Sequence, residues 1–420
     1  MSVLGIMALL GSIAATNTYS AIPLEDVSRF PDKFLYKDLL SIQSANLMSA
    51  ELAPRTQPWS DDYWPTHMGR LAKRYADPDF PFSLSLKANS DYLFSTLFEK
   101  PVDILSPAEK YDLLVGDETA TLTRSMLDPG DELDDGAIES WAGICHGWAA
   151  ASMMLPRPRK LVNLRAADGK LIPFYPSDIK SLGSALWAAA LYDYRMIGTF
   201  CQREYGDLDG NGRMLNPECF DLNPVTWHLA IVNQLGYAGR TMVMDVQYNR
   251  EIWNQPVLGY RYQYFNPATG RITAQLAESA IPIQSYFNDR FRKYRNPQTS
   301  WVVGIVMDVT YLNETTPSHR KTDSEQEDLT DKVRYYYDLE LSAEGAILGG
   351  EWHHERHPDV LWLPAKTARA LSVADPSLPN LPWDGSTPFP VAWKIPATQA
   401  SSYRQPLARI VELLFRISSE

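Results

Sequence analysis

The amino-acid sequence predicts an α+β protein, because strand-like and helix-like segments both occur along one chain without an internal repeat. Trp301–Tyr311 and Val333–Leu341 alternate apolar and polar residues, as half-buried strands do. Ser106–Leu114 and Asn223–Gly236 each begin with a capping residue followed by proline, which is a helix-start signal. These observations place helices and strands in the same fold.

Length and net charge make some classes of function improbable. The chain has 420 residues, of which 45% are hydrophobic and 21% charged, as in a folded protein of two or three domains. The net charge of −12 disfavours nucleic acid as a partner and also docking on anionic membranes. We therefore expect a globular protein whose partner is neither a nucleic acid nor an anionic membrane.

The N-terminus carries an apolar run, Val3–Ala15, that is too short to span a bilayer comfortably. Small residues follow it up to Ala21, so we predict a signal peptide over residues 1–21. No Lys or Arg precedes the run, which leaves a buried N-terminal helix as the alternative. The prediction is a secreted or periplasmic protein with no membrane attachment after signal removal.

Three regions are expected after the signal peptide. Residues 22–125 form a mostly helical N-terminal region, which could include a pro-segment. Residues 126–312 form the catalytic core, and residues 313–420 a C-terminal β-rich region with an exposed polar loop over 313–331. Further elements are predicted as a helix over Ile144–Leu155, a hairpin over Lys160–Tyr175, a helix over Ser177–Tyr194, strands over Thr241–Tyr248 and Val257–Phe265, a strand ending near Trp352, and a helix over Leu407–Phe415.

A cysteine is the most chemically informative residue. In the segment Trp141–Ser152, Cys145 follows a glycine-containing turn and precedes a helix-favouring run. A thiol at a helix N-terminus is stabilised as the nucleophilic thiolate by unsatisfied N–H groups and the helix dipole. The alternative is a small buried apolar residue. In an exported protein Cys201 and Cys219 could form a disulfide, which would leave Cys145 as the free thiol.

A calcium loop is predicted between the other two cysteines, where Asp207–Glu218 satisfies the pattern D-x-[DN]-x-[DN]-G-x5-E. Such loops bind calcium through side-chain oxygens, one backbone carbonyl and a bidentate glutamate, and glycine permits the sharp turn. The corresponding ligands here are Asp207, Asp209, Asn211, the carbonyl of Arg213, and Glu218. The alternative is a polar surface turn. No paired helices flank the loop, so we expect a lone site of weak affinity.

A cysteine nucleophile needs a base and a group that orients the base. His228 and Asp245 follow Cys145 in a suitable order, so we predict the triad Cys145, His228 and Asp245. A core histidine bonded to a backbone carbonyl is the alternative role for His228. His357 with Asp308 is the second candidate pair.

One segment resembles a known family. Ile252–Tyr260, of sequence IWNQPVLGY, closely resembles the elicitor segment of the transglutaminase elicitor family, secreted enzymes of plant-pathogenic oomycetes with bacterial relatives. Leu258 stands where that segment has arginine. Other segments similar to the family are Trp141–Trp148, Phe174–Lys180, His228–Gly236, Gly349–Trp352 and His357–Trp362, so the resemblance covers about residues 55–365.

The resemblance implies a calcium-dependent protein-glutamine gamma-glutamyltransferase with a papain-like catalytic core, in which Cys145 matches the nucleophile. Its partners would be protein substrates that carry glutamine and lysine. His228 and Asp245 remain predictions from the residues alone. Two alternatives stay open: a papain-like cysteine protease or amidase, and a catalytically silent secreted recognition or virulence protein.

Overall fold

A computed structural model describes residues 22, 24–28, 30–130, 133–134, 137–200, 207–211, 213–216, 219–247, 251–354 and 356–420. The predicted signal peptide and Cys201 lie outside these residues, so export and the Cys201–Cys219 disulfide stay predictions. No helix in the described part of the chain is both long and apolar enough to cross a bilayer.

The fold is mixed helix and sheet, as the sequence predicts. The strands of the described residues are β1 (Ser49–Glu51), β2 (Leu133–Asp134), β3 (Ala137–Ile138), β4 (Val162–Arg165), β5 (Leu171–Phe174), β6 (Tyr194–Gly198), β7 (Val243–Asp245), β8 (Asn254–Phe265), β9 (Ile272–Thr273), β10 (Ile281–Pro282), β11 (Trp301–Asn313), β12 (Leu329–Leu341), β13 (Ile347–Trp352) and β14 (Val360–Pro364). The main sheet runs in the order β13-β12-β11-β8-β7-β14-β6, and its neighbouring strands are antiparallel. The pairs β2–β3 and β4–β5 form separate hairpins.

Helices cover the sheet and fill the N-terminal and C-terminal regions. Those of the described residues are α1 (Leu39–Ser44), α2 (Leu86–Ser95), α3 (Pro107–Val115), α4 (Thr121–Met126), α5 (Cys145–Met154), α6 (Pro176–Ala189), α7 (Pro224–Ala230), α8 (Leu276–Ser279), α9 (Lys394–Ser401) and α10 (Ala408–Ser419). Helix α7 continues as a π-helical segment over Ile231–Tyr237. The predicted helices near residues 106, 144, 177, 223 and 407 are thus confirmed.

The longest strands form where apolar and polar residues alternate. Strands β11 and β12 pair along their full length, from Trp301 opposite Leu341 to Asn313 opposite Leu329. Both are longer than predicted, because the polar ends of the hairpin still exchange backbone hydrogen bonds. This hairpin crosses the expected region boundary at residue 313, so strands from both sides of that boundary share one sheet.

The polar stretch between β11 and β12 is held against the body of the protein. The buried guanidinium of Arg157 pairs with Asp323 at 2.9 Å and also with Asp328. Lys180 adds a second contact to Asp323 at 2.9 Å. Most residues of this segment are exposed or half-buried, as its composition predicts, and the ion pairs give it a fixed path.

Two glycines of the cysteine segment permit close packing around α5. A Cβ on Gly143 would lie 2.5 Å from the carbonyl oxygen of Tyr63, and one on Gly147 would lie 2.2 Å from that of Ser184 in α6. Real Cβ atoms do not approach oxygen so closely, so both positions require glycine. The spacing Gly-Ile-Cys-His-Gly therefore seats the start of α5 between an N-terminal loop and α6.

Candidate active site

Cys145 is the first residue of α5 and is only 5% exposed. The N–H of the preceding residue, Ile144, donates to the Tyr63 carbonyl at 2.8 Å and so fixes where the helix begins. The predicted helix-start position of the thiol is confirmed. Cys145 is also a free cysteine, as cysteine counting predicts.

The thiol lies against the beginning of β8. The side-chain amide of Asn254 donates to Sγ of Cys145 at 3.4 Å, and Sγ lies 3.7 Å from the Ile252 carbonyl oxygen. The indole of Trp362 in β14 donates to Oδ1 of Asn254 at 2.7 Å. Because its oxygen is held by Trp362, the Asn254 amide is oriented with its N–H groups toward the sulfur.

Asp245 lies directly opposite Asn254 in the β7–β8 ladder, so both side chains project from the same face of the sheet. Its Oδ1 accepts from the backbone N–H of Trp253 at 3.0 Å and of Gln247 at 3.1 Å. These bonds turn the chain, which is why β7 is shorter than predicted. Oδ2 of Asp245 is buried and has no hydrogen-bond partner among the described residues.

The surroundings favour the neutral thiol. Burial raises the pKa of Cys145 to about 11, against the opposing effect of the Asn254 amide groups. The carboxylates of Glu314 and Asp245 raise it further. Burial also raises the pKa of Asp245 to about 7. A carboxyl group that titrates near neutrality beside a thiol is a candidate acid–base group.

An apolar cavity of about 370 Å³ opens beside the thiol, since Ile252 and Asn254 form part of its wall. His146, Trp187, Tyr194 and Trp362 are further lining residues. Half or more of the Tyr194 side chain is exposed at this opening. Such a cavity can hold an extended apolar or aliphatic substrate group next to Sγ.

The structure does not bring His228 to Cys145. The His228 ring is fully buried, Nδ1 lies 2.7 Å from the hydroxyl of Tyr337, and the ring packs on Tyr262. Tyr262 lies eight residues along β8 from Asn254, roughly 26 Å at ~3.3 Å per residue. Burial lowers the pKa of His228 to about 3. The hydrogen-bonded neighbour is Tyr337 rather than Asp245, so the histidine is a core residue in this arrangement.

The second candidate pair is not assembled either. Asp308 lies on β11 and forms an exposed ion pair with Arg334 at 2.5 Å. His357 is buried against the Trp352 ring, and its Nδ1 lies 3.7 Å from Asp221. Sequence order alone could not separate these positions, because it does not specify which face of the sheet each side chain occupies.

The described residues of the predicted calcium loop do not fit a calcium ion as they are placed. Oδ1 of Asp209 accepts from the N–H groups of Asn211 and Arg213, and Oδ2 accepts from the Tyr294 hydroxyl at 2.6 Å. The Lys293 ammonium lies 3.0 Å from the same Oδ2. The Arg213 carbonyl accepts from the Asp209 N–H at 2.8 Å.

The Lys293 ammonium therefore pairs with the Asp209 carboxylate that a calcium ion would need as a ligand. Asp207 is exposed and its N–H donates to Asn216, while Glu218 and Gly212 lie outside the described residues. The calcium site stays a prediction from the sequence pattern.

Asn254 and Trp362 are site residues that the search for a base did not single out. Both lie inside segments that carry the family resemblance, Ile252–Tyr260 and His357–Trp362. Those two segments meet at Cys145 through the Trp362–Asn254 hydrogen bond. Their position in segments that resemble the same family as the Cys145 segment is the signal that could have identified Asn254 and Trp362.

Comparison with known proteins identifies the family and a similar fold. A family model described as transglutaminase elicitor matches residues 130–379, more than half of the chain. The fold is similar to the crystal structure of the GP42 transglutaminase from Phytophthora sojae, with a TM-score of 0.55 and 22% identity over 80% of this chain and 88% of that chain. No curated protein matches the chain. The matched family region contains Cys145, Asp245, Asn254 and Trp362, and the chain belongs to the transglutaminase elicitor family.

Proposed function

We propose that the chain is a protein-glutamine gamma-glutamyltransferase that forms isopeptide crosslinks through a thioester on Cys145. The observation that carries the proposal is the placement of a free thiol at the start of a buried helix, with the Asn254 amide donating to it. Family membership and the likeness to a transglutaminase fold support the same reaction.

In the first step Sγ of Cys145 attacks the carboxamide carbon of a glutamine side chain. The carbonyl oxygen becomes an oxyanion, and Asn254 together with backbone N–H groups at the start of α5 donates to it. Asp245 accepts the thiol proton, directly or through one water, and returns it to the leaving amine. The C–N bond breaks, ammonia leaves and a thioester remains.

In the second step a lysine amine of the acceptor protein attacks the thioester carbon. Asp245 takes the proton from the amine, the C–S bond breaks, and Sγ regains a proton. The apolar cavity lined by Trp187 and Trp362 suits the aliphatic stem of a lysine, and it limits the access of water that would hydrolyse the thioester. In this scheme Asp245 is the base, a role for which the residue order in the sequence favours His228.

We also propose that the catalytic core is papain-like. It is supported by a cysteine at the first residue of a helix that packs against an antiparallel sheet, with a side-chain amide beside the sulfur. We also infer export from the apolar run Val3–Ala15. Calcium dependence is inferred from the family resemblance, and no catalytic step here passes through the ion.

Incorporation of a labelled primary amine into casein tests the proposal, with ammonia release and casein cleavage measured in the same samples. We expect wild type to incorporate amine and release ammonia, and Cys145→Ser to do neither. Met154→Leu, on the same helix, serves as the matched control and should behave as wild type. Cleavage without incorporation would instead indicate the protease, and an inactive wild type the silent recognition protein.

A further inference from the structure

Three further buried polar side chains form a cluster that does not include Cys145. Asp221 precedes α7, and His357 and Asp359 precede β14; their exposed fractions are 6%, 9% and 0%. Each residue offers one ligating atom, and these atoms all lie within 4.8 Å of one another. Two segments that are distant in sequence thus bring two carboxylates and one imidazole to one point.

The neighbours hold these side chains in place without satisfying them. The Trp352 ring stacks on His357 with centroids 5.0 Å apart, and its indole N–H donates to the Leu222 carbonyl at 2.7 Å. The N–H of Asp221 donates to the Thr199 hydroxyl at 3.2 Å. These contacts fix the backbone and one ring face, and they leave the ligating atoms directed at each other.

Four polar atoms of these three side chains are buried and have no hydrogen-bond partner among the described residues. They are both carboxylate oxygens of Asp359, Oδ1 of Asp221 and Nδ1 of His357. The 3.7 Å between Nδ1 and Oδ2 of Asp221 is too long for a hydrogen bond. Buried polar atoms are almost always paired, and buried charges are paired or coordinate metals.

We propose that Asp221, His357 and Asp359 bind one divalent metal ion of the zinc type. Two carboxylate oxygens and one imidazole nitrogen form a donor set that zinc accepts, with one position left for water or a further ligand. Manganese fits the same donors with lower affinity, as the general order of divalent ions requires. Calcium prefers six or more oxygen ligands, so a three-donor site with nitrogen suits it poorly.

Charge favours the same kind of ligand, because the two carboxylates of Asp221 and Asp359 are buried close together in the cluster. A bound cation would offset the repulsion among these groups. It would also tie the start of β14 to the segment before α7, and β14 carries the Trp362 indole that orients Asn254.

Metal binding to untagged, full-length protein tests the proposal after treatment with EDTA and dialysis. Calorimetric titrations with Zn²⁺, Mn²⁺ and Ca²⁺ should give one zinc per chain, weaker manganese binding and the weakest binding for calcium. Zinc should also raise the Tm. Asp359→Asn should weaken zinc binding by roughly tenfold or more. Loss of a direct ligand should reduce the affinity at least as much as loss of a residue that orients a ligand.

Two features make the result decisive. Asp359→Asn removes a buried unpaired carboxylate, so its metal-free Tm should equal or exceed that of wild type while its zinc response is lost. Asp221→Asn is the second variant and should behave in the same way. Cys145→Ser and Asp209→Asn are controls that should keep full zinc binding, since neither residue belongs to the cluster.

Absence of zinc binding to wild type would overturn the proposal, as would undiminished binding to both Asp359→Asn and Asp221→Asn. Tighter binding of calcium than of zinc would overturn the assignment of the donor set. None of these outcomes depends on catalytic activity, so the proposal stands or falls separately from the transglutaminase assignment.

Discussion

Asn254 and Cys145 are joined by a hydrogen bond of 3.4 Å from the side-chain amide to Sγ, and the Trp362 indole fixes the amide at 2.7 Å. Three segments of the chain are thereby brought to one sulfur atom. The amide is placed to donate to an oxyanion that forms when the thiol attacks a carbonyl.

Asn254→Ala should lower kcat for amine incorporation by about 10²–10³, the range found when one oxyanion donor is removed. Trp362→Phe should have a smaller effect, because Asn254 keeps its amide and loses only its orientation. Steady-state kinetics with circular dichroism as a folding check measure both. Full activity in Asn254→Ala would show that the oxyanion is stabilised elsewhere.

Thiol reactivity should depend on pH with an apparent pKa well above that of a free cysteine. Burial, Glu314 and Asp245 raise the pKa of Cys145 to about 11, so alkylation by iodoacetamide should still be rising at pH 9. Asp245→Asn removes one negative charge and should speed alkylation at pH 8 while it slows acyl transfer. Loss of both rates together would instead indicate a damaged site.

Stability should also report the buried carboxyl of Asp245. Its pKa is raised to about 7 in the folded protein, so the native state binds a proton that the unfolded state releases near pH 4. The contribution of the Asp245 carboxyl to the free energy of unfolding is complete below pH 4 and is lost as the pH rises to about 7. Asp245→Asn should therefore be more stable than wild type at pH 8, on the order of 2–4 kcal/mol, and equal at pH 4. Urea unfolding at the two pH values measures this, and equal differences at both would contradict it.

His228 should be replaceable without loss of activity. His228→Phe removes the hydrogen bond to the Tyr337 hydroxyl and should cost about 1–3 kcal/mol of stability. Amine incorporation should persist below the lowered Tm, because the ring lies far from Cys145. An inactive His228→Phe with intact folding would restore the histidine to the catalytic site.

A buried ion-pair network should be the most sensitive point of the sheet. Arg295 pairs with Asp338 at 2.5 Å and with Asp289 at 3.0 Å, and all three side chains are almost fully buried. Arg295→Leu removes the guanidinium from both buried carboxylates, while His353 still contacts Asp338 at 2.7 Å, and should cost about 3–5 kcal/mol in urea unfolding. The exposed pair of Arg334 with Asp308 is the matched control, and Arg334→Leu should cost no more than about 1 kcal/mol.

Local signals in the sequence were sufficient for much of the fold. The Ser106 capping box and the Asn223 cap mark helices because the capping side chains act within one turn. The Cys145 helix follows from similarly local preferences. Alternation of apolar and polar residues located β11 and β12, although residues 302–307 and 337–341 are buried on both faces rather than on one.

The catalytic partners could not be predicted in the same way. Which carboxylate or histidine faces Cys145 depends on how β7, β8 and β14 pair, and sequence order does not contain that register. Order alone favoured His228, whereas the ladder places Asn254 and Asp245 together. The Asp207–Glu218 pattern likewise could not reveal that Lys293, from a distant segment, contacts Asp209.

Trapping of the acyl-enzyme tests the central claim most directly. The protein is mixed with a glutamine-donor peptide, quenched in acid and mapped by mass spectrometry. We predict that the fragment containing Cys145 gains the mass of the peptide less ammonia, and that a primary amine removes the adduct. Amine incorporation that continues in Cys145→Ser, or an adduct on another residue, would contradict the assignment of Cys145 as the nucleophile.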